Sequence, residues 1–312
     1  MEQSSAVKSK SPSVVLVGSA NVDLVAYVDR EPGPGETVFG RRFAQGFGGK
    51  GANQAVMAAR LGASVSFIGA LGNDAYADLM LANFAHEGVD TGAIELVPGS
   101  SGLASIWVEP DGTNRIVVIG GANALVDPGA TSAAIVRLPA IDVVVGQLEI
   151  PQAATAAAFA AARARGATTV LNPAPAVDLE PALLASTDWL VPNELELGRL
   201  TGTSPEADAD LIAAADRLGV HLVVTLGSAG AALVADGLVT RSPAPEVNAV
   251  DSTGAGDAFV GAFAFGLGLG MPPSEAVRLG VACASDGVVR PGAQMSYPDR
   301  ARAQTLLRSV AG

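Results

Sequence analysis

The chain has 312 residues, 49% of them hydrophobic, a net charge of −12 and one cysteine. That length allows one large α/β domain or two ordinary ones. The composition excludes a disordered chain, and the acidic balance argues against a nucleic-acid partner, which needs a basic surface.

Residues 1–13 are polar and lack the apolar segment of a secretory signal, so a disordered lead-in and a cytoplasmic protein are expected. Val14–Val17 is an apolar run ending at Gly18, which reads as a buried strand. Similar runs follow at Val65–Ile68, Val143–Val145, Thr168–Leu171, Trp189–Val191 and Leu222–Thr225. Between most of them lie Ala-rich helical segments at Gly51–Leu61, Ala75–Glu87, Gln152–Arg165 and Ala209–Leu218. Three more helices are predicted at Ala258–Gly266, Ser274–Ser285 and Pro298–Val310. The alternation predicts an α/β fold: a doubly wound, mostly parallel sheet with helices on both faces.

Two segments break the pattern. Residues 22–45 and 101–120 carry β-type runs and turn signals, Pro32-Gly33-Pro34-Gly35 and Asp111-Gly112, with no convincing helix. They are expected to form paired hairpins, a small β-sheet lid on a body made of 14–21, 46–100 and 121–312; an edge extension or a dimer surface is the alternative. The most apolar stretch, Ala258–Met271, is shorter than the about 20 residues a bilayer span needs. Cys283 lies among alanines and reads as a packing residue; alone, it forms neither an internal disulfide nor a cysteine metal cluster. His86 and His221 share no ligand spacing.

The most informative motif is Asp251-Ser252-Thr253-Gly254-Ala255-Gly256-Asp257, which runs directly into an apolar helix. Small residues at a helix N-terminus let an anion approach unpaired backbone N–H groups, and the helix dipole adds positive potential. A carboxylate in the first turn, Asp257, supplies a potential base. An Asp-capped helix after a glycine turn is the plain alternative. The second motif, Gly46-Phe47-Gly48-Gly49-Lys50-Gly51-Ala52-Asn53-Gln54-Ala55, offers close backbone approach plus donors from Lys50 and Asn53. It formally matches G-x-G-x-x-G, which would suit a nicotinamide dehydrogenase, but no acidic ribose partner follows a second strand. A turn that binds a polyhydroxyl ligand fits better.

Other polar residues sit at strand ends. Asn21 and Asp23, two apart after the first strand, face the same way in extended chain and either hold hydroxyls or cap a turn. Glu149 follows the Val143–Val145 strand. Asn193 and Glu196 either meet a ligand or form a capping box. Thr225-Leu226-Gly227-Ser228-Ala229-Gly230 suits nucleotide contact or a hairpin.

In this order, the Gly48–Ala55 and Asp251–Asp257 motifs resemble the two signatures of the ribokinase-type (PfkB) carbohydrate kinase family, and the likeness runs from about Val14 to about Pro298. Gln147-Leu148-Glu149, Leu171-Asn172-Pro173-Ala174-Pro175-Ala176 and Gly292-Ala293-Gln294 resemble its ribokinase branch. The resemblance implies phosphoryl transfer from Mg·ATP to the 5-hydroxyl of D-ribose, or to another sugar or a nucleoside. It implies Asp257 as base and Gly254, Ala255 and Gly256 as anion hole. Asn21, Asp23, Gly48, Gly49, Lys50, Asn53 and Glu149 would hold the sugar. Asn193, Thr225, Leu226, Gly227, Ser228, Ala229, Gly230 and Gly256 would contact ATP, and Glu196 would organise Mg²⁺. A K⁺ site would draw on Asp251, Thr253, Gly287, Arg290, Gly292 and Ser296. A homodimer formed through the lid is also implied. Ser252 stands where the family usually has Thr, and Gly287 and Pro291 sit in the cation loop, where backbone geometry matters.

Overall fold

Strand β1 (Ser13–Val17) already separates two cores. Its side chains alternate, so Val14 and Leu16 join one hydrophobic cluster while Val15 and Val17 join another, all four fully buried. The computed structural model describes residues 11–310. The lead-in expected over 1–13 therefore falls mostly outside the described residues.

Along the chain follow β2 (Asn21–Val28), β3 (Gly40–Gly48), α1 (Lys50–Leu61), β4 (Ser64–Gly72), α2 (Ala75–Glu87), β5 (Val89–Val97), β6 (Gly102–Val108) and β7 (Asn114–Ile119). Next come α3 (Pro128–Arg137), β8 (Val143–Gly146), α4 (Gln152–Arg163), β9 (Thr168–Leu171), α5 (Pro181–Ala185), β10 (Trp189–Leu190), α6 (Glu194–Thr201) and α7 (Asp208–Leu218). The chain finishes with β11 (His221–Thr225), β12 (Ala231–Ala235), β13 (Leu238–Ser242), α8 (Ala255–Leu269), α9 (Pro273–Gly287) and α10 (Arg300–Val310).

The main sheet has nine strands in the order β13-β12-β11-β10-β9-β8-β1-β4-β5. Pairing is parallel from β10–β11 through β4–β5, and antiparallel only at β11–β12 and β12–β13. Residues of α1, α2, α8 and α9 build the core on one face, and residues of α3, α4, α6 and α7 the core on the other. The doubly wound, mostly parallel sheet expected from the alternation is therefore present. β1 lies between β8 and β4, so the chain winds away from it in both directions. At such a switch point the loops after neighbouring strands diverge and leave a crevice. Here those loops carry Ser19 after β1 and Glu149 after β8.

A separate four-stranded sheet has the order β3-β2-β6-β7. The β2–β3 and β6–β7 pairs are antiparallel hairpins, joined by parallel pairing of β2 with β6. This is the small second sheet expected from residues 22–45 and 101–120. The sequence did not anticipate β5, the antiparallel edge hairpin β12–β13, the short α5, or α3, which Asp127 caps through Ala130 N–H at 2.8 Å with Pro128 in its first turn. Among the described residues, no helix is long and apolar enough to cross a membrane.

Candidate active site

The glycine motif before α1 brings three elements into contact. Gly49 caps α1 with φ 85°, and a Cβ there would come within 2.8 Å of Ala20 Cα and Asn21 N, so only glycine fits. A side chain at Gly48 would run into the Asp23 carboxylate. The register pairs Asn21 with Gly48 and Asp23 with Gly46. Glu149 is gripped from two sides: its Oε2 accepts from Ser19 Oγ at 2.5 Å and from Lys50 N–H at 3.0 Å. Asn21 Oδ1 accepts from Asn123 Nδ2 at 2.7 Å, which fixes the amide and leaves its own NH₂ to donate elsewhere. Burial, with the nearby Glu149 charge second, pushes the Asp23 carboxyl up to about 6.

Asp257 lies in the first turn of α8, and Gly254 caps that helix in the left-handed region at φ 74°. A Cβ at Gly254 would stand 2.7 Å from Tyr297 Oη, whose hydroxyl donates to Gly254 O at 2.8 Å. A Cβ at Gly256 would meet nothing within 4 Å, so packing does not demand glycine there. Ala255 N–H is spent on Ser252 O at 3.1 Å, a turn the sequence motif did not foretell. Among the described residues, the N–H groups of Gly254, Gly256 and Asp257 donate to no protein acceptor. Asp257 is buried; Oδ2 accepts from Asn53 Nδ2 at 2.9 Å and Oδ1 from Gln54 Nε2 at 3.0 Å. Burial raises its pKa, against the pull of Lys50 and of these two amides. Burial works to lower the Lys50 ammonium, but Asp257, Glu149 and Glu196 outweigh it and hold the pKa above its ordinary value.

Two cavities meet at this helix end. A cleft of about 920 Å³ runs along Asn193, Thr225, Gly227, Ser228, Gly230 and Gly256. A smaller one of about 210 Å³ is lined by Lys50, Asn172, Glu196, Gly254, Gly256 and Asp257. Asn193, Thr225, Ser252 and Gly256 border both. Thr225–Gly230 forms the turn between β11 and β12, so the hairpin and ligand-contact readings of that segment coexist. Asn193 and Glu196 form a full capping box, Asn193 Oδ1 accepting from Glu196 N–H and Glu196 Oε2 from Asn193 N–H, both at 2.8 Å. Asn193 also borders both cavities and Glu196 the smaller one, so capping leaves both on a cavity wall. Leu226 and Ala229 lie in the same turn but not on the cleft wall.

Residues 286–297 fold back behind the N-terminus of α8. Asp251 accepts from Thr253 N–H and Gly292 N–H, both at 2.8 Å; burial opposes its ionisation, but these bonds hold the carboxyl below its ordinary value. Arg290 donates to Ser296 O at 2.9 Å and to Asp286 at 2.5 Å, and Gly287 O accepts from Arg290 N–H at 3.0 Å. Among the described residues, the carbonyls of Asp251, Thr253, Arg290 and Gly292 accept no hydrogen bond.

Comparison with known proteins decides the family. The pfkB family carbohydrate kinase model matches residues 11–300. The chain belongs to this family. A ribokinase of Staphylococcus aureus is 39% identical over 292 residues, covering 91% of this chain and 96% of that one. A deoxyribokinase of Salmonella typhi is 38% identical over 292 residues, covering 91% and 95%. The solved structure of Arabidopsis thaliana ribokinase with ribose and ATP superposes with a TM-score of 0.86 at 34% identity, covering 96% of this chain and 99% of that one. The protein is thus a sugar kinase, a phosphotransferase acting on an alcohol group.

Several residues of this kinase site carried no role in the sequence. Ser19 on Glu149, Asn123 on Asn21, Gln54 on Asp257 and Tyr297 on Gly254 all act through partners remote in sequence. Gln54 does stand inside the Gly46–Ala55 motif and Ser19 follows Gly18 at the end of the first strand, which were the available signals.

Proposed function

We propose that this kinase transfers the γ-phosphoryl group of Mg·ATP to the 5-hydroxyl of D-ribose. The observation that carries the reading is Asp257: a buried carboxylate in a polar pocket, next to Gly256, which borders both that pocket and a nucleotide-sized cleft, and beside unpaired helix N–H groups. The sugar enters against Asn21, Asp23, Lys50, Asn53 and Glu149, with Gly48 and Gly49 allowing close backbone approach. ATP takes the 920 Å³ cleft, its γ-phosphate toward Gly256.

Asp257 Oδ takes the proton of the primary hydroxyl as that oxygen bonds to the γ-phosphorus. The bond from phosphorus to the β,γ-bridging oxygen breaks, and ADP leaves with the electron pair. Charge on the equatorial phosphoryl oxygens is met by the N–H groups of Gly254, Gly256 and Asp257 and by Lys50, so the chain works by positioning and electrostatics. Closure of the second sheet over the sugar would exclude water.

Among the described residues, no cluster of three His, Cys, Asp or Glu side chains could cage a metal. Mg²⁺ suits such a site, because it binds through one or two carboxylates plus substrate phosphates. Glu196 is the carboxylate that fits, with Oε1 unused by its capping bond. Bound there, the ion would neutralise phosphate charge. The free carbonyls of Asp251, Thr253, Arg290 and Gly292 match in kind the oxygen donors a K⁺ ion takes. The carbonyls of Gly287 and Ser296 already serve Arg290, so each has only one lone pair to offer. The exposed apolar strand β7, Ile116–Ile119, supports a homodimer through the second sheet.

The test is ADP release with Mg·ATP across pentoses, hexoses and nucleosides, each in K⁺ and in Na⁺. Ribose-dependent, K⁺-stimulated turnover is expected; turnover with a different acceptor only would overturn the substrate. The deoxyribokinase relative supports 2-deoxyribose as a second acceptor, and the ratio of kcat/KM for the two pentoses decides between them.

A further inference from the structure

Two chains of side-chain amides converge on Asp257. In one, Gln147 Nε2 donates to Gln54 Oε1 at 2.6 Å, and Gln54 Nε2 donates to Asp257 Oδ1 at 3.0 Å and to Asn172 Oδ1 at 3.2 Å. In the other, Asn83 Nδ2 donates to Gln294 Oε1 at 3.0 Å, Gln294 Nε2 donates to Asn53 Oδ1 at 3.0 Å, and Asn53 Nδ2 donates to Asp257 Oδ2 at 2.9 Å. Gln54, Gln147, Asn53 and Gln294 are all buried.

The orientation of every amide follows from its two ends. Asn172 Nδ2 is committed to Val191 O at 2.9 Å, so its Oδ1 must accept. Gln54 must then present NH₂ to both Asn172 and Asp257, and Gln147 must present NH₂ to Gln54. That direction leaves the buried Gln147 Oε1 without a partner among the described residues. An amide chain that served packing alone gains nothing from such an orphan. Along both paths, from Gln147 and from Asn83, each successive amide donates toward Asp257, and each bond polarises the next.

The geometry points to Gln54 and Gln294 as positioning residues that hold the Asp257 carboxylate in place and keep it an acceptor. Gln54 touches the carboxylate, and Gln294 acts through Asn53. Gln294 also stands in the segment that closes behind the helix cap: Arg60 donates to Gln294 O at 2.9 Å and to Tyr297 O at 3.2 Å, and pairs with Glu87 at 2.6 Å. The backbone of the 292–297 segment is thus fixed independently of the Gln294 side chain, so replacing that side chain tests the relay and not the loop. The catalytic meaning of this clamp rests on the reading of Asp257 as base; the clamp itself does not.

The test reads Asp257 directly. Aspartate labelled with ¹³C at the carboxyl carbon is titrated by NMR in the full chain, and the Asp257 signal is assigned by its loss in Asp257→Asn. The other charged or titratable groups whose charge acts on Asp257 are Lys50 on α1, Glu149 after β8, Glu196 on α6 and Tyr297 in the closing segment, and all are retained. Gln54→Met keeps the length of the side chain and removes the charge-assisted donor. The Asp257 midpoint should rise by about one unit. Gln294→Met leaves the direct donors intact and should raise it by less, with the acid limb of kcat moving by the same amount while the KM for ATP holds. Unchanged midpoints in folded Gln294→Met and Gln54→Met would overturn the proposal, and if Gln54→Met does not fold, the Gln294→Met result decides alone. Midpoints that move while Asp257→Asn keeps normal turnover would sustain the clamp and sink the base assignment instead.

Discussion

Gly256→Ala should raise stability and lower activity, a combination that separates packing from catalysis at one atom. Gly256 has an ordinary helical backbone, not a left-handed one, and a Cβ there meets no protein atom within 4 Å. Removing glycine from a helix gains about 0.5–1 kcal/mol, a rise of roughly 1–3 °C in Tm for a chain of this size. The same methyl enters the space shared by the two cavities. It would hold a phosphoryl oxygen beyond hydrogen-bond range of Gly256 N–H, and losing one such preorganised donor costs about 10²–10³ in kcat. Thermal unfolding and steady-state ADP release on one preparation give both numbers. A variant with the expected Tm and kcat/KM for ATP within about threefold of the parent would refute the anion-hole assignment. Gly254→Ala is the control: its φ of 74° and the Tyr297 hydroxyl at 2.7 Å should make it destabilised as well as slow.

Asp257→Asn keeps the shape of the side chain but removes the proton acceptor, so kcat should fall about 10²–10⁴-fold while calorimetry still detects sugar binding; near-normal kcat would remove Asp257 from the role of base. Asp23, lifted to about 6 by burial and Glu149, should lose sugar affinity as pH falls through that value, and Asp23→Asn should flatten the profile. For folding the sign is opposite: a raised carboxyl contributes stability at low pH that is lost as pH rises toward about 6, so unliganded Asp23→Asn should lack that decline between pH 4 and 6. The double variant Val117→Glu, Val118→Glu puts a charge on each exposed face of β7 and should give monomers by sedimentation; an unchanged mass with intact fold would place any dimer contact elsewhere.

The parts of the fold legible in the sequence were those written in local signals. Helix α2 was read to the residue, because Asp74 caps it and Gly88 ends it in the left-handed region. Strand β5 was missed because Asp90, Gly92 and Glu95 on a half-exposed edge leave no clean alternation. The β12–β13 hairpin carries a usable signal, Asp236-Gly237, both at positive φ, that the search for parallel strands passed over. The glycine motifs announced the site because their backbone demands are local. The amides around Asp257 did not, since Gln54 and Gln147 lie 93 positions apart and Gln294 and Asn53 lie 241 apart. Outside the glycine motif that holds Asn53 and Gln54, nothing in the local sequence marks these amides as polar core and not surface.

The site is drawn from the whole length of the chain, from Ser19 beside Glu149 to the Tyr297 hydroxyl that seals the helix cap. On the ribosome that has a temporal meaning. At about 5–20 residues per second, on the order of 15–60 s separate the emergence of those two residues. For most of that interval the nascent polypeptide carries the proposed sugar-binding residues without Asp257, and then Asp257 without the segment behind its helix cap. The proposed site is therefore complete only when nearly the whole described chain has emerged.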